Sequence, residues 1–353
     1  MLPLAQPDNL TAQESALWRT CLSSLERFYL PDAGILSRKV VWDGEVLRPA
    51  PEPSPRNTAE VAKALYLLRR HGFACQLDPD ALMEQLVKRY LPALEYSDVA
   101  LALWADAFGG GRHLSVLWEA LLQRLPPSAS DTMELAWTLS ALCHFFPVAG
   151  VSGKVTSLAR GIYAKIAGNQ SPATGLFSTS GRLRGWLRRR DRSASLVSQT
   201  SAVQALALYR QVFHVPEALA RAERCAETLC RLQGPQGQWW WIYDVEVGKV
   251  TAAYPVYSVN QDAAVPMALG ELHKAGGHAR YGANTVRGLT WLFGDNELTT
   301  SLVDEAAGVI WRAIDRPNGV FRIVREMYSY HPARCLYWLC SDRFSGRIPH
   351  VAS

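Results

Sequence analysis

The chain has 353 residues, 48% of them hydrophobic and 20% charged, and its formal net charge is +5. These are ordinary globular figures, and a charge this modest argues against a nucleic-acid partner. No apolar run approaches the roughly 20 residues needed to span a bilayer, so no membrane span is expected.

The opening MLPLAQPDNL has no basic n-region and no apolar h-region, so no signal peptide is expected. Seven cysteines are scattered singly, mostly in helical apolar patterns, which points to reduced, buried thiols in a cytoplasmic protein. Cys225 and Cys230 are five apart, as are Cys335 and Cys340, and neither spacing suits a metal site. No metal and no cofactor is expected.

In chain order, two kinds of helix alternate. LTAQESALWRTCLSSLERF, over 11–29, places apolar residues at three-and-four spacing with charges opposite, which predicts an amphipathic helix. NTAEVAKAL opens with Asn57, a good N-cap, and turns small and apolar, which predicts a buried helix over 57–71. An amphipathic helix follows at 79–91. SDVALALWA predicts a buried helix over 97–108, followed by an amphipathic one over 113–124. DTMELAWTLSAL predicts another buried helix over 131–145, again with an amphipathic partner over 151–167.

The segment 181–192, GRLRGWLRRRDR, holds six arginines and one aspartate. It is a candidate anion-binding loop, or a solvated surface loop. SQTSAVQALAL then predicts a buried helix over 198–212, and PEALARAERCAETLCRL an amphipathic one over 215–232. QWWWIYDVEVGKVTAAYPVY reads as a β-hairpin turning near Val247–Gly248. SVNQDAAVPMAL opens a buried helix over 258–273, an amphipathic one is expected at 280–293, and a further helix at 300–314. SYHPARCLYWL closes the series over 329–341.

Amphipathic and buried helices alternate six times. Short links from each buried helix to the next amphipathic one favour antiparallel neighbours. This predicts an all-α fold, an (α/α)6 toroid over 1–353 as a single domain, with six inner helices, six outer helices and a small β-hairpin insertion. An open solenoid of helix pairs is the alternative. In the closed form the inner N-termini gather at one mouth, where helix-end dipoles favour anionic groups. Long connections at about 168–196, 233–257 and 294–327 would overhang that mouth.

The arrangement resembles the six-hairpin toroids, which include glycoside hydrolases, polysaccharide lyases and sugar 2-epimerases, with terpene cyclases and prenyltransferase subunits as related architectures. Gln233-Gly-Pro-Gln-Gly237-Gln-Trp239 fits the Q-x3-G-x-W motif of triterpene cyclases, which in that family staples helix ends. The acid D-x-D-D and magnesium D-D-x-x-D motifs of terpene enzymes are missing.

Carboxylates at the inner-helix openings are Glu60, Asp98, Asp131, Glu134 and Asp262. Sugar chemistry needs one protonated and one ionised carboxyl group. The catalytic candidates are Asp262, Asp98, Glu134 and His331. Each carboxylate is also a possible N-cap, and Asp131 with Glu134 fits a capping box. Substrate-binding candidates are Asn260, Gln261 and Gln199 at helix openings, and Trp239, Trp240, Trp241, Tyr243, Tyr254 and Tyr257 on the hairpin. Trp186, Arg182, Arg184, Arg188, Arg189 and Arg190 in the basic loop, and Arg334, complete the set. Strand alternation sends Trp239, Trp241 and Tyr243 to one face and Trp240 to the other.

The reading is a carbohydrate-active enzyme, a hydrolase, lyase or epimerase, acting on a small-molecule or oligosaccharide substrate that can be anionic. A terpene-cyclase-like enzyme for a prenylated or diphosphate substrate and a non-catalytic helical-repeat binding protein are the alternatives. A deep aromatic pocket favours the first alternative, a filled centre the second, and a cleft with two carboxyls favours sugars.

Overall fold

The computed structural model describes residues 12–73, 75–124, 131–149, 153–180, 192–328 and 330–343. Its helices are α1 (Ala12–Leu25), α2 (Pro55–Arg70), α3 (Pro79–Gln85, prolonged by a wider π-type turn over Leu86–Tyr90 and a tighter 3-10 turn over Leu91–Ala93), α4 (Tyr96–Phe108), α5 (Leu114–Arg124) and α6 (Thr132–Ala149). They continue with α7 (Gly153–Gly168), α8 (Leu196–Phe213), α9 (Pro216–Arg231), α10 (Val265–Lys274), α11 (Gly282–Leu292) and α12 (Tyr330–Arg343).

Even-numbered helices form the inner set. Each packs on the next, and α12 packs on α2, so the ring is closed rather than an open solenoid. The remaining helices cover it, α3 on α2, α5 on α4, α7 on α6, α9 on α8, α11 beside α10, and α1 on α12. Composition explains the sorting. In α4 the run from Val99 to Ala107 is buried throughout, because alanine, leucine and a single tryptophan fit between neighbours on several sides. By contrast, α9 buries only one stripe, with Ala218, Ala222, Cys225, Ala226 and Leu229 inward.

The inner N-termini share one end of the ring. First-turn side chains of α2, α4 and α6 touch one another, as do those at the starts of the fifth and sixth inner helices. Ahead of α10 the chain widens into a π-type turn, Asn260–Ala264. Pro266 has no N–H to give to the Asp262 carbonyl four residues earlier, and the regular ladder cannot run through that point.

The hairpin is present, Ile242–Asp244 paired with Lys249–Ala252 around Gly248. Asp244 shapes its turn by accepting from the Glu246 and Val247 N–H groups. Ser193–Ser195 adds a third strand. The helix expected at 300–314 is not formed. Val303–Asp304 pairs with Val309–Ile310, and Ala313–Asp315 pairs with both Arg322–Val324 and Val256–Tyr257. Asp304 accepts from the Ala307 N–H, and Gly308 at φ +64 completes a turn, so the β-branched residues on either side pair across it. Glu326–Tyr328 also pairs with Lys39–Trp42, which ties the last connection to the segment between α1 and α2.

Among the described residues no helix is long and apolar enough to cross a membrane. The cysteines are all free thiols.

Candidate functional site

At the mouth, one hydrogen-bonded chain runs across three inner helices. Arg56, from the first turn of α2, donates through Nε to Asp98 on α4 at 2.5 Å and through Nη2 to Ser97 at 3.3 Å. Ser97 Oγ donates in turn to Glu134 Oε1 on α6 at 3.3 Å. The Arg56 side chain is 40% exposed and that of Asp98 15%, so solvent and ligands reach this chain. Below it lies Trp137, one turn along α6 from Glu134, with the Arg56 guanidinium 5.4 Å from its ring centroid.

Burial pushes the Glu134 carboxyl above its ordinary value, and the neighbouring Asp131 charge adds to that. Asp131 serves as the N-cap of α6, accepting from the Met133 N–H at 2.7 Å. The expected capping box is therefore half formed. Aspartate caps the helix, while Glu134 turns away to α4 and keeps its carboxyl at the mouth.

Deeper, a narrow axial cavity touches all six inner helices, through Glu60, Trp104, Trp137, Gln204, Ala264 and Arg334. It offers about 20 Å³ of room for water centres, enough for about one water-sized particle. Glu60 Oε1 accepts from Arg334 Nη2 and Oε2 from Lys63 Nζ, both at 2.8 Å. Burial works to raise the Glu60 carboxyl, but the charges and hydrogen bonds of Arg334 and Lys63 outweigh it and hold it down at about 2. The Lys63 ammonium also lies 3.8 Å from the Trp104 ring centroid.

Asp262 occupies a different place from the one expected. It is 0% exposed, and it is bonded to His331 Nε2 at 2.9 Å, itself 3% exposed. Cys335 on α12 and Cys21 on the outer helix α1 are close enough to feel its charge. The pair thus seals the seam between the fifth and sixth inner helices and faces α1 rather than the axis. Burial pushes the Asp262 carboxyl up, with His331 opposing. The expectation that Asp262 is a cavity group is corrected. The widened turn aims Ala264, and Met267 on α10, at the axis instead.

Several expected binding residues prove to be internal staples. Gln199 accepts from the Phe177 N–H at 2.7 Å and donates to the Phe177 carbonyl at 2.8 Å, fully buried. Gln261 accepts from the Trp239 N–H at 3.3 Å. Gln233 donates to the carbonyls of Gly237 and, on α11, Asn284. Gly237 at φ +93 lies against the Arg287 carbonyl, where a Cβ would collide. Trp239 and Tyr243 are fully buried. The residues of the Q-x3-G-x-W match therefore pin the end of α9 to α11.

Strand alternation fails at the tryptophans, which precede the regular strand Ile242–Asp244 and the register shift between Ile242 and Tyr243. Trp240 and Trp241 are both partly exposed. Trp240 packs against Tyr254, whose hydroxyl donates to Glu297. Trp241 packs edge-on against Tyr257 at 4.7 Å, and the Arg312 guanidinium lies 5.2 Å from that ring. Asn260, one turn ahead of Ala264, is buried, and neither of its amide atoms has a hydrogen-bond partner among the described residues. Arg182, Arg184, Trp186, Arg188, Arg189 and Arg190 lie outside the described residues.

No family model matches the sequence, and no curated protein does. Solved structures match the fold. A D-mannose isomerase aligns at TM-score 0.69 with 12% identity, covering 94% of this chain and 98% of its own. A sugar epimerase from a ruminal bacterium aligns at 0.64 with 9% identity, covering 93% and 98%. An unsaturated glucuronyl hydrolase from Streptococcus agalactiae aligns at 0.63 with 12% identity, covering 95% and 93%. The chain is an (α/α)6 toroid.

Within this toroid, Asp98, Glu134 and Arg334 are recognisable from sequence, whereas Arg56, Lys63, Trp137 and Gln204 are not among the expected residues. Lys63 carried a usable signal, since with Glu60 it is the only charged residue in EVAKALYLL, a stretch otherwise suited to burial on every side. Arg56 carried none, because an arginine just before an N-cap-like Asn reads as solvated surface.

Proposed function

We propose that the chain is a carbohydrate-active enzyme that performs proton-transfer chemistry on a sugar at the mouth of the toroid. The observation that carries this is the chain Asp98–Arg56–Ser97–Glu134. It joins a carboxylate paired to a cation with a carboxyl whose burial favours its protonated form. Hydrolysis, elimination and epimerisation of sugars each need that combination of proton donor and ionised partner. Glu134 is the general acid in this reading, and Asp98 the base or nucleophile. Trp137 supplies a flat apolar floor, Trp241 and Tyr257 a rim on which a sugar face stacks, and Asn260 and Arg334 are hydrogen-bonding partners.

The sugar lies at the mouth, above Trp137, because the axis beneath admits only about one water-sized particle. The same narrowness disfavours a prenyl chain, which needs a deep apolar pocket. It fits a non-catalytic scaffold equally well, but a scaffold has no use for a solvent-facing acid of raised pKa beside a paired carboxylate. The fold is also that of a D-mannose isomerase, a sugar epimerase and an unsaturated glucuronyl hydrolase, and this adds support from analogy alone.

The test incubates the protein with monosaccharides, oligosaccharides and uronides in deuterated buffer and follows them by NMR. Solvent deuterium entering a sugar carbon reports epimerisation or isomerisation, and a new reducing end reports hydrolysis. Turnover should fall about 10²–10⁴-fold in Glu134→Gln. Full turnover in both Glu134→Gln and Asp98→Asn would reject the assignment.

A further inference from the structure

Across the mouth from the Asp98–Glu134 stretch, the segments that lead into the fifth, sixth and first inner helices meet in a second polar cluster. Arg312 stands just ahead of the strand Ala313–Asp315, which pairs with Val256–Tyr257 before the fifth inner helix. Glu326 and Tyr328 lie on the strand before the sixth, and Lys39 on the strand paired with it. Asn57, in the first turn of α2 and next to Arg56, holds that last strand by donating to the Arg38 carbonyl at 3.0 Å.

Arg312 is set into this cluster as a fixed fork. Its guanidinium lies 4.4 Å from the Tyr328 ring centroid and 5.2 Å from that of Tyr257. Nη1 donates to Glu326 Oε1, while Lys39 Nζ donates to Oε2 at 2.9 Å. Both oxygens of Glu326 are thus taken, one by each cation. Asp315, three residues beyond Arg312, has Arg322 at 4.0 Å instead. The other edge of the Arg312 fork, Nε and Nη2, meets no acceptor among the described residues, and Nε is buried. A buried guanidinium N–H without an acceptor is costly, and marks a place where a partner belongs. The Arg312 side chain is 24% exposed and that of Lys39 32%, so a solute reaches the cluster. Its wall is Tyr257, the ring on which Trp241 packs edge-on.

We propose that this cluster is a subsite for the carboxylate of an acidic sugar, read by the free edge of the Arg312 fork with Lys39 beside it. A planar guanidinium matches a planar carboxylate through two parallel N–H bonds, which a lysine alone cannot offer. A monoanion also balances the second cation gathered on Glu326. The sugar ring then lies against Tyr257 and Trp241. This rests on reading the mouth as a sugar site, and it narrows that sugar to a uronate.

Calorimetry on the full chain at fixed ionic strength tests it with three pairs of probes: glucuronate and glucose, galacturonate and galactose, mannuronate and mannose. In at least one pair the acid should bind about tenfold tighter than its neutral parent, and Arg312→Gln should erase most of that ratio. A residue that only shapes the rim would weaken acid and parent alike and leave the ratio unmoved. No preference in any pair, a preference that Arg312→Gln leaves intact, or glucose 6-sulfate binding tighter than every uronate would overturn the proposal. A wild-type crystal soaked in the preferred acid decides the matter even if the variant folds poorly, since the carboxylate must lie within hydrogen-bond distance of Arg312 Nη2. Turnover is read separately. Acid preference without turnover of any sugar would reject the proton-transfer reading and leave this subsite standing, and turnover of neutral sugars without acid preference would do the reverse.

Discussion

Two stretches of the same ring carry carboxylates at equivalent helix openings, and the fold treats them in opposite ways. Between α2, α4 and α6, Asp98 and Glu134 stay within reach of solvent, linked by Arg56 and Ser97. Between the fifth and sixth inner helices, Asp262 is closed off completely against His331. The openings look alike in sequence, each a short polar cluster followed by an apolar run. The difference lies in the turn. A regular first turn keeps Glu134 at the mouth, whereas the π-type turn ahead of Pro266 rotates Asp262 outward toward α1. One stretch is thus suited to chemistry and the other to cohesion, and substitutions should separate them.

The largest effect belongs to the sealed side. Asp262→Ala leaves His331 buried without its partner, which should cost about 3–5 kcal/mol. Denaturant titration checks this, and a loss under 1 kcal/mol would mean the pair is not buried as described.

Next comes acid sensitivity along the axis. The Glu60 carboxyl is held at about 2 against an ordinary 4.5. A carboxyl lowered on folding contributes stability that is complete above its unfolded value and lost as pH falls through its folded one. Between pH 5 and 2 wild type should therefore lose about 3 kcal/mol that Glu60→Gln, already weaker at neutral pH, does not lose. Parallel pH profiles for the two proteins would contradict this.

Gln199→Ala should cost less, about 1–3 kcal/mol, by stranding the buried Phe177 N–H and carbonyl. An unchanged melting temperature would show that the amide is dispensable there. The smallest effect on stability is expected at the open rim. Trp241→Ala should shift stability by roughly 0.5 kcal/mol while weakening sugar binding severalfold in calorimetry. A large loss of stability would place Trp241 on the cohesive side of the comparison.

Much of the architecture was legible. The alternation of helices buried all round with helices buried on one stripe is a packing requirement written directly into composition, and each inner helix formed within a few residues of its expected span. The strands of 29–54 and 303–328 were not legible, because short pairs joined across long loops leave no periodicity. AAG in the second of these looked helical, yet Gly308 and the Asp304 side chain make it a turn. Candidate site residues were legible only as chemistry. Asp98 and Glu134 could be named, but their linkage runs through Arg56 from another helix. Asp262 looked equal to them because an N-terminal polar cluster does not disclose which way a widened turn will point it.

The most direct test compares Glu134→Gln with Asp262→Asn in the same turnover assay, each corrected for its folded fraction and accompanied by a melt. Glu134→Gln should melt with wild type and lose about 10²–10⁴-fold in turnover, together with the decline in rate that wild type shows as pH rises past the raised Glu134 pKa. Asp262→Asn should melt lower and retain its turnover per folded molecule. The reverse result, with Glu134→Gln fully active and Asp262→Asn stable but inactive, would contradict the division of the ring into a chemical and a cohesive side.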